Sequence, residues 1–229
     1  MLFLIMVELI LASQSPRRQA LIQLVGYPYQ SIAADVDEGS ITHPDPAVNV
    51  VQTAQLKART IARQVRGDAA AGNRTLLVAA DTTVALDGTM LGKPVDPAEA
   101  QQMLQALRDR THEVHTGLVV VDLADKRKVG GTHTAVVTMR DYSDREIEAY
   151  VASGDPLDKA GAYAIQHPTF RPVARLDGCY LGVMGLSLCH LLGCLIELDV
   201  PLAVDLTALE QAHQGFACPV YQDVVAKVG

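Results

Sequence analysis

Arginines and serines cluster at the start of a predicted helix near the N-terminus. The segment Ser13-Gln14-Ser15-Pro16-Arg17-Arg18 follows an apolar run, and Ser15 before Pro16 is typical of a helix N-cap followed by the first helical residue. A helix N-terminus offers unpaired backbone N–H groups and the positive end of the helix dipole, so this segment predicts a phosphate or anion site. The alternative is that Arg17 and Arg18 are solvated side chains in a first helical turn.

Carboxylates form the second candidate group, at places where the chain is expected to change direction. Glu38 follows the acidic run 34–37, Asp81 ends a continuous apolar run, and Asp96 precedes a predicted helix. Carboxylates at strand ends in α/β proteins suit metal binding or general base catalysis. A plain helix cap also explains Asp96, and the run 34–37 could equally be a solvated loop. A carboxylate at the end of a buried strand, by contrast, indicates a partner for Asp81.

Two later loops add a lysine and an amide to the candidates. Lys93 lies in a glycine turn that is one residue short of a P-loop and has Pro94 where Ser or Thr would bind magnesium, so we reject that motif. Lys93 is still a candidate phosphate contact, with an ordinary surface lysine as the alternative. Gln166, in the loop after Tyr163, offers both a donor and an acceptor, as recognition of a base requires.

Strands that alternate with helices are predicted to position these residues. Hydrophobic patterning predicts strands near residues 8–12, 76–80, 82–86, 89–91, 113–122, 132–140 and 171–176. Helices are expected to begin after Ser15, Asp45, Asp96 and Ser143, and an apolar helix is expected near residues 187–198. Lys57 lies at the margin of the apolar stripe of the second helix. This order predicts an α/β fold with a mixed, twisted sheet and flanking helices.

Composition limits the class of protein. The chain has 229 residues, 49% of them hydrophobic, and a formal net charge of −7, which describes a soluble protein without a broad nucleic-acid surface. The apolar residues 1–12 contain Glu8 and are fewer than the ~20 needed to span a bilayer, so we expect a buried strand there. The Ala/Gly-rich residues 67–72 are expected to form a loop.

The cysteines favour a cytoplasmic protein without disulfides. The chain has four of them and no CxxC pair or regular framework: Cys179, Cys189, Cys194 and Cys218. We interpret them as reduced core or surface thiols. Together with the lack of an export signal, this pattern predicts a cytoplasmic location.

A series of sequence blocks resembles the Maf family of nucleoside triphosphate pyrophosphatases. In chain order they are Leu11-Ala12-Ser13-Gln14-Ser15-Pro16-Arg17-Arg18, Ala34-Asp35-Val36-Asp37-Glu38, Ala80-Asp81-Thr82, Leu91-Gly92-Lys93-Pro94-Val95-Asp96, Thr111-His112-Glu113-Val114-His115-Thr116-Gly117 and Asp158-Lys159-Ala160-Gly161-Ala162-Tyr163-Ala164-Ile165-Gln166. The family is similar in fold to the inosine triphosphate pyrophosphatases, with two lobes around a cleft, and its members are commonly homodimers. The resemblance therefore implies a Maf-like domain over residues 1–198, followed by a C-terminal extension of unknown role over residues 199–229.

The resemblance also implies a reaction and the residues that perform it. The expected activity is hydrolysis of a nucleoside triphosphate to the monophosphate and pyrophosphate, assisted by a divalent cation, Mg²⁺ or Mn²⁺. Asp81 matches the family's proton acceptor, which activates water toward the α-phosphorus, and Glu38 and Asp81 would contact the metal. The residues expected to hold the triphosphate are Ser13, Arg17, Arg18, Lys57 and Lys93.

Substrate preference is implied by the subgroup within the family that acts on dTTP and UTP. Arg17, Thr82 and Gln166 match that subgroup's Arg after Ser-Pro, Thr after the catalytic Asp and Gln in the late loop. The subgroup that prefers 7-methyl-GTP usually has a bulky aromatic residue in place of Arg17. We therefore expect dTTP and UTP to be the preferred substrates.

The chain departs from the family pattern near the base-recognition end. His167 replaces a usual Gly, Gly182 replaces an Asn, and Ser187 replaces a Pro. Two alternatives to a pyrimidine-specific enzyme therefore stay open. One is a pyrophosphatase with purine preference, and the other is a nucleotide-binding regulator of cell division without essential turnover.

Overall fold

A seven-stranded mixed sheet forms the centre of the protein in a computed structural model that describes residues 6–65 and 74–228. The strands are β1 (Val7–Leu11), β2 (Tyr29–Ser31), β3 (Arg74–Leu86), β4 (Thr89–Leu91), β5 (Thr111–Asp122), β6 (Lys128–Met139) and β7 (Val173–Asp177). Their order is β2-β1-β3-β5-β6-β7, with β4 paired to β3. β1 pairs in parallel with β2 and β3, and the other pairs are antiparallel. The predicted mixed α/β fold is confirmed, while the expected loop 67–72 and residues 1–5 lie outside the described residues.

Helices flank the sheet on both faces. They are α1 (Pro16–Gln23), α2 (Pro46–Gln64), α3 (Pro97–Leu107), α4 (Asp144–Ala152), α5 (Tyr180–Met184), α6 (Leu188–Glu197), α7 (Leu206–Ala212) and α8 (Pro219–Val228). The side chains of Ser15, Asp45, Asp96 and Ser143 accept backbone N–H groups in the first turns of α1 to α4, so these predicted N-caps are confirmed. None of the helices within residues 6–65 and 74–228 is long and apolar enough to cross a membrane.

The central strand β3 is buried on both faces of the sheet because successive side chains of a strand alternate in direction. Its residues 76, 78 and 80 belong to the larger core, which also contains residues of α1, α3, α4 and α6. Residues 77 and 79 belong to a smaller core that contains residues of α2. The continuous apolar run 76–80 is therefore explained by two cores that lie on opposite faces of one strand.

One predicted boundary is wrong, because β3 does not end at Asp81 but runs unbroken to Leu86. Pairing with β1 ends at Val78 and pairing with β4 begins at Val84, while β5 pairs along the other edge of β3 throughout this stretch. Asp81 lies between these two pairings, at a gap in the sheet. The run of apolar residues stops close to the point where β1 stops pairing with β3, although β3 itself continues to Leu86.

Helix α2 approaches the sheet closely over β5, at Gly117. A Cβ atom added to Gly117 would lie 2.5 Å from both the carbonyl carbon and the carbonyl oxygen of Val50. Gly117 is also the register partner of Asp81 on the neighbouring strand. Lys57 follows Val50 by about two helical turns and is buried on the same side of α2. The missing side chain at Gly117 therefore lets α2 bring Lys57 down to the gap beside Asp81.

The C-terminal extension packs on the larger core. Leu209 of α7 and Val224 of α8 are buried in the same cluster as residues of β1 and β3. All four cysteines are free and buried, so the alternative of surface thiols is wrong. The extension thus shares a continuous interior with the rest of the described chain.

Replacing Gly117 with Ala should destabilise the fold by about 1–3 kcal/mol, because the new methyl group meets backbone atoms that cannot move independently. The free energy of unfolding, measured by urea denaturation, checks this. Gly193→Ala in α6 is the matched control, since a Cβ there meets nothing within 4 Å. The control should be neutral or slightly stabilising. Equal losses in both variants would contradict the close approach of α2.

Candidate active site

The gap in the sheet opens into a cleft of about 950 Å³, a size that suits a small-molecule ligand. The cleft is lined by all the site residues that the family resemblance implies: Ser13, Arg17, Arg18, Glu38, Lys57, Asp81, Thr82, Lys93 and Gln166. The other candidate carboxylate, Asp96, does not line the cleft and is the N-cap of α3, as the local alternative predicted. The lining residues come from the start of α1, a 3₁₀ turn (Glu38–Ser40), α2, β3 and two later loops. The fold therefore brings together residues that are far apart in the chain.

A buried lysine joins the two candidate carboxylates. The Lys57 Nζ atom lies 2.7 Å from Glu38 Oε1 and 2.7 Å from Asp81 Oδ1. The Lys57 side chain is only 6% exposed, whereas that of Glu38 is 54% exposed. A buried ammonium group needs such partners because its charge has lost most of its water. Asp81 thus has the partner that the sequence pattern indicated.

The ionisation of Glu38 follows from these neighbours. Burial acts to raise the pKa of Glu38, but the hydrogen bond and charge of Lys57, with the charges of Lys93 and Arg18, lower that pKa overall. Opposite charges nearby favour the ionised form of a carboxyl group. Glu38 therefore presents a carboxylate, a ligand suited to a hard cation, toward the cleft.

Asp81 and Thr82 lie on opposite faces of β3 because they are consecutive in a strand. Asp81 contacts Lys57 of α2, whereas the Thr82 hydroxyl lies 3.2 Å from the Thr116 hydroxyl and accepts a hydrogen bond of 3.4 Å from Arg18. One dipeptide therefore links the carboxylate side of the cleft to the arginine side.

Arg18 is built into the cleft wall. Its Nε atom donates to the Gly185 carbonyl at 2.7 Å, and a terminal nitrogen donates to the Ser13 hydroxyl at 3.4 Å. Burial lowers the pKa of Arg18, and the charges of Asp81 and Glu38 oppose that change. The alternative that Arg18 is a solvated side chain is wrong. A fixed guanidinium beside a helix N-terminus is suited to binding phosphate.

Arg17 also lines the cleft, and its side chain is half-buried. Its guanidinium is 3.3 Å from the Asp158 carboxylate. The exposed Lys93 is in the loop after β4, and this loop is tied to a later one by a hydrogen bond of 3.0 Å from the Gly161 N–H to the Gly92 carbonyl. The loop that contains Gly161 leads to Gln166, which is half-buried in the cleft wall.

Sequence reasoning did not single out Lys159, which also lines the cleft. Its side chain is 8% exposed, and its Nζ atom donates to Asp155 Oδ1 at 3.0 Å and to Asp158 Oδ1 at 2.6 Å. The spacing of Asp155 four residues before Lys159 could have indicated the first pair. The second pair holds Asp158, the partner of Arg17. The sequence also did not indicate Gly185, because it acts through its backbone carbonyl, which accepts the Arg18 hydrogen bond and which every residue has.

The departures from the family pattern are accommodated by local packing. A Cβ added to Gly182 would lie 2.8 Å from Cδ2 of His133, so a larger residue requires His133 to move. The Ser187 hydroxyl lies 2.7 Å from Nδ1 of His190, and Nδ1 of His167 accepts a backbone N–H at 2.9 Å. Gly182 and Ser187 thus each contact a histidine, His133 and His190, while His167 bonds to the backbone N–H of Phe170.

A buried histidine anchors the loop that leads to Gln166. The His112 Nε2 atom lies 2.8 Å from the Tyr163 hydroxyl, and both side chains are buried. Burial lowers the pKa of His112 to about 4, so the ring is neutral at neutral pH. This contact joins β5 to the wall of the cleft.

Comparison with known proteins finds one matching family and several similar proteins. The profile of a family described as Maf-like protein matches residues 8–198. The dTTP/UTP pyrophosphatase of Moorella thermoacetica is 44% identical over 184 residues, which cover 80% of this chain and 91% of that protein. The dTTP/UTP pyrophosphatase of Geotalea uraniireducens is 41% identical over 192 residues, with 82% and 93% covered. That of Dictyoglomus turgidum is 38% identical over 185 residues, with 80% and 92% covered.

The fold should lose stability in acid because of His112. Its pKa lies near 4 in the folded protein and near 6.5 in the unfolded chain, so the unfolded state binds more protons between these values. The stabilisation is complete above pH 6.5 and is lost as the pH falls toward 4, by on the order of 3 kcal/mol. His133, whose pKa burial also lowers to about 4, contributes in the same direction.

Urea denaturation between pH 7 and pH 4 measures this effect. His112→Gln should show a smaller loss of unfolding free energy over this range than the wild type. Tyr163→Phe is the matched control, because it removes the hydrogen bond and keeps the titrating ring. Identical pH dependence in the wild type and His112→Gln would contradict the assignment.

Proposed function

The chain belongs to the Maf-like protein family, and from that premise we propose that it hydrolyses nucleoside triphosphates, preferably dTTP and UTP, to the monophosphate and pyrophosphate. The observation that carries the proposal is one cleft in which Glu38 and Asp81 lie beside Arg18 and Lys93. Phosphoryl chemistry depends on placed positive charge and a group that orients the attacking water. We propose that Arg18 and Lys93 supply the positive charge and that Asp81 orients the water.

Asp81 is proposed to accept the proton of the attacking water. Its Oδ1 atom is held by Lys57, which leaves Oδ2 for a water molecule. The water oxygen forms a bond to the α-phosphorus while the bond from that phosphorus to the oxygen bridging to the β-phosphate breaks. Pyrophosphate leaves with the bonding electron pair, and the monophosphate keeps the water oxygen. Lys57 fixes the orientation of the base throughout.

The triphosphate is proposed to lie on the cationic side of the cleft. Ser13 and the first turn of α1 supply a hydroxyl and backbone N–H groups, and Arg18 is fixed beside them. Lys93 and Arg18 both lower the pKa of Glu38, so their positive charges lie near the carboxylates where the reacting phosphate must sit. These charges would neutralise the phosphate oxygens as the leaving group departs.

A divalent cation, Mg²⁺ or Mn²⁺, is proposed to be held by Glu38 and Asp81. The fit rests on their carboxylate oxygens, the ligands such ions prefer, and on the fact that both already share one cation, the Lys57 ammonium group. When bound, the ion would neutralise charge on the phosphate oxygens.

Base selection is proposed to rest on Arg17, Thr82 and Gln166. The Gln166 amide can donate and accept hydrogen bonds at the edge of a base, and it lines the cleft with Arg17. The Thr82 hydroxyl contacts both Arg18 and Thr116, so Thr82 would act by holding Arg18 in position.

Location and assembly follow as further proposals. Because the substrate is a free nucleoside triphosphate, we propose that the protein acts in the cytoplasm and binds no nucleic acid. The family resemblance also suggests a homodimer. Light scattering tests this suggestion, and the mass of a single 24.5 kDa chain would contradict it.

Pyrophosphate release tests the reaction directly. With Mg²⁺ or Mn²⁺ present, the purified protein should release pyrophosphate faster from dTTP and UTP than from CTP, GTP, ITP or 7-methyl-GTP. Asp81→Asn should lower turnover by on the order of 10²-fold or more, because it removes the proposed base. Asp96→Asn is the matched control: it makes the same chemical change at the N-cap of α3, where Asn also caps well, and should keep normal turnover.

Each outcome of the substrate panel separates the alternatives. Release only from GTP or ITP would favour purine preference and reject the subgroup assignment. Tight nucleotide binding without release from any substrate would favour a binding regulator. Normal turnover in Asp81→Asn would remove Asp81 from the role of base.

Arg17→Trp should change base preference more than the chemical step. A bulky aromatic residue at this position resembles the subgroup that prefers 7-methyl-GTP, so the ratio of kcat/KM for UTP to that for 7-methyl-GTP should fall at least about tenfold. Asp158→Asn removes the carboxylate charge that faces both Arg17 and Lys159 but keeps the Arg17 side chain, so this control should change the ratio much less. An unchanged ratio in Arg17→Trp would count against its role in base selection.

A further inference from the structure

Three cysteines and one histidine converge where the C-terminal extension meets the rest of the protein. Cys179 immediately precedes α5, Cys189 lies in the first turn of α6, His213 follows α7, and Cys218 immediately precedes α8. All of them are buried, and their ligand atoms lie within 4.8 Å of one another. None of them lines the nucleotide cleft. The sequence showed no sign of this cluster, because its members are not paired at metal-binding spacings.

Three of the six distances between ligand atoms in the cluster are close to those of a tetrahedral metal site, and none exceeds 4.8 Å. His213 Nε2 lies 3.4 Å from Cys189 Sγ and 3.8 Å from Cys179 Sγ, and Cys189 Sγ lies 3.9 Å from Cys218 Sγ. Zinc bonds of about 2.3 Å to sulfur and about 2.0 Å to nitrogen give tetrahedral ligand separations of roughly 3.5–3.8 Å. A disulfide would require sulfur atoms about 2.0 Å apart, so the observed distances fit a shared metal ion better.

The histidine is already oriented as a ligand. Nδ1 of His213 lies 2.8 Å from the backbone carbonyl oxygen of Leu209, to which it donates when it carries the proton. That bond fixes the tautomer in which Nε2 has a free lone pair, and Nε2 is the atom that faces the cysteine sulfurs. An outer hydrogen bond of this kind is the usual support for a histidine that binds a metal.

We propose that Cys179, Cys189, His213 and Cys218 bind one structural zinc ion that fastens the C-terminal extension to the body of the protein. Three thiolates and one imidazole favour zinc over hard cations such as Mg²⁺. Four protein ligands complete a tetrahedral shell and leave no position for substrate, so the role is structural and not catalytic. The thiols release their protons when the metal binds.

The position of the site explains why the extension would need a metal. Helix α7 has only 7 residues and α8 has 10, lengths at which isolated helices are marginal in water. Two ligands come from residues before 198 and two from the extension, so one ion crosslinks the parts. Residues His213 and Cys218 also lie beyond the part that matches the Maf-like family, which ends at residue 198.

Metal content of the full-length protein tests the proposal without any measurement of activity. Protein purified under reducing conditions, without added chelator, should contain one zinc per chain by plasma mass spectrometry. Cys218→Ser and His213→Asn should each reduce the zinc content well below one. Cys194→Ser is the matched control, because Cys194 is also buried in α6 but is not one of the clustered ligands, and it should keep one zinc.

Two further readouts separate a metal site from a buried thiol cluster. Cobalt exchanged into the wild type should give the visible absorption of tetrahedral, thiolate-bound Co²⁺, and the Cys218→Ser variant should not. A strong chelator should lower the Tm of the wild type and leave that of Cys218→Ser unchanged. If Cys218→Ser fails to fold, release of zinc from the wild type by a thiol-blocking mercurial, followed with a zinc-sensitive dye, gives the same information.

The proposal would be overturned by wild-type protein with four freely titratable thiols and no bound metal. A Cys189–Cys218 disulfide found by mass spectrometry in protein purified without reductant would also overturn it. Because these measurements use no nucleotide, failure of the zinc proposal is distinguishable from failure of the proposed hydrolysis.

Discussion

The Lys57 ammonium group, held between Glu38 and Asp81, is the interaction on which the arrangement of the cleft depends. A buried lysine without partners would be costly, so its two ion pairs fix α2 relative to β3 and to the turn that contains Glu38. The close approach of α2 over Gly117 makes this contact possible, because no side chain separates the helix from the sheet there. The packing of α2 in the smaller core therefore also places Lys57 between the two carboxylates.

The gap in the sheet gives the cleft its second requirement, a place for substrate. Along one edge of β3, pairing with β1 ends at Val78 and pairing with β4 begins at Val84. The stretch between them, which contains Asp81, therefore has an open edge. Alternation along that stretch points Asp81 toward α2 and Thr82 toward Arg18. The Asp81 carboxylate on one face of β3 and the Arg18 guanidinium beside Thr82 on the other thus lie close to the same open edge, an arrangement that suits a negatively charged substrate.

The cysteine cluster and the cleft are joined by α5. Cys179 immediately precedes this helix, and Gly185, which immediately follows it, accepts the hydrogen bond that holds Arg18. Thr116 donates to the Gly182 carbonyl within the same helix. A metal at the cluster would therefore stabilise the segment that supports the arginine side of the cleft, while the extension covers the larger core.

The sequence alone determined the local features and much of the candidate site. Ser15, Asp45, Asp96 and Ser143 act as N-caps because capping depends on neighbours within three residues, and the α/β class follows from periodicity. Only the tertiary structure decided the partners of Asp81, the continuation of β3 past it and the convergence of the cysteines on His213. These features depend on which distant segments lie side by side, and that information is carried by packing across the whole chain, not by any local spacing.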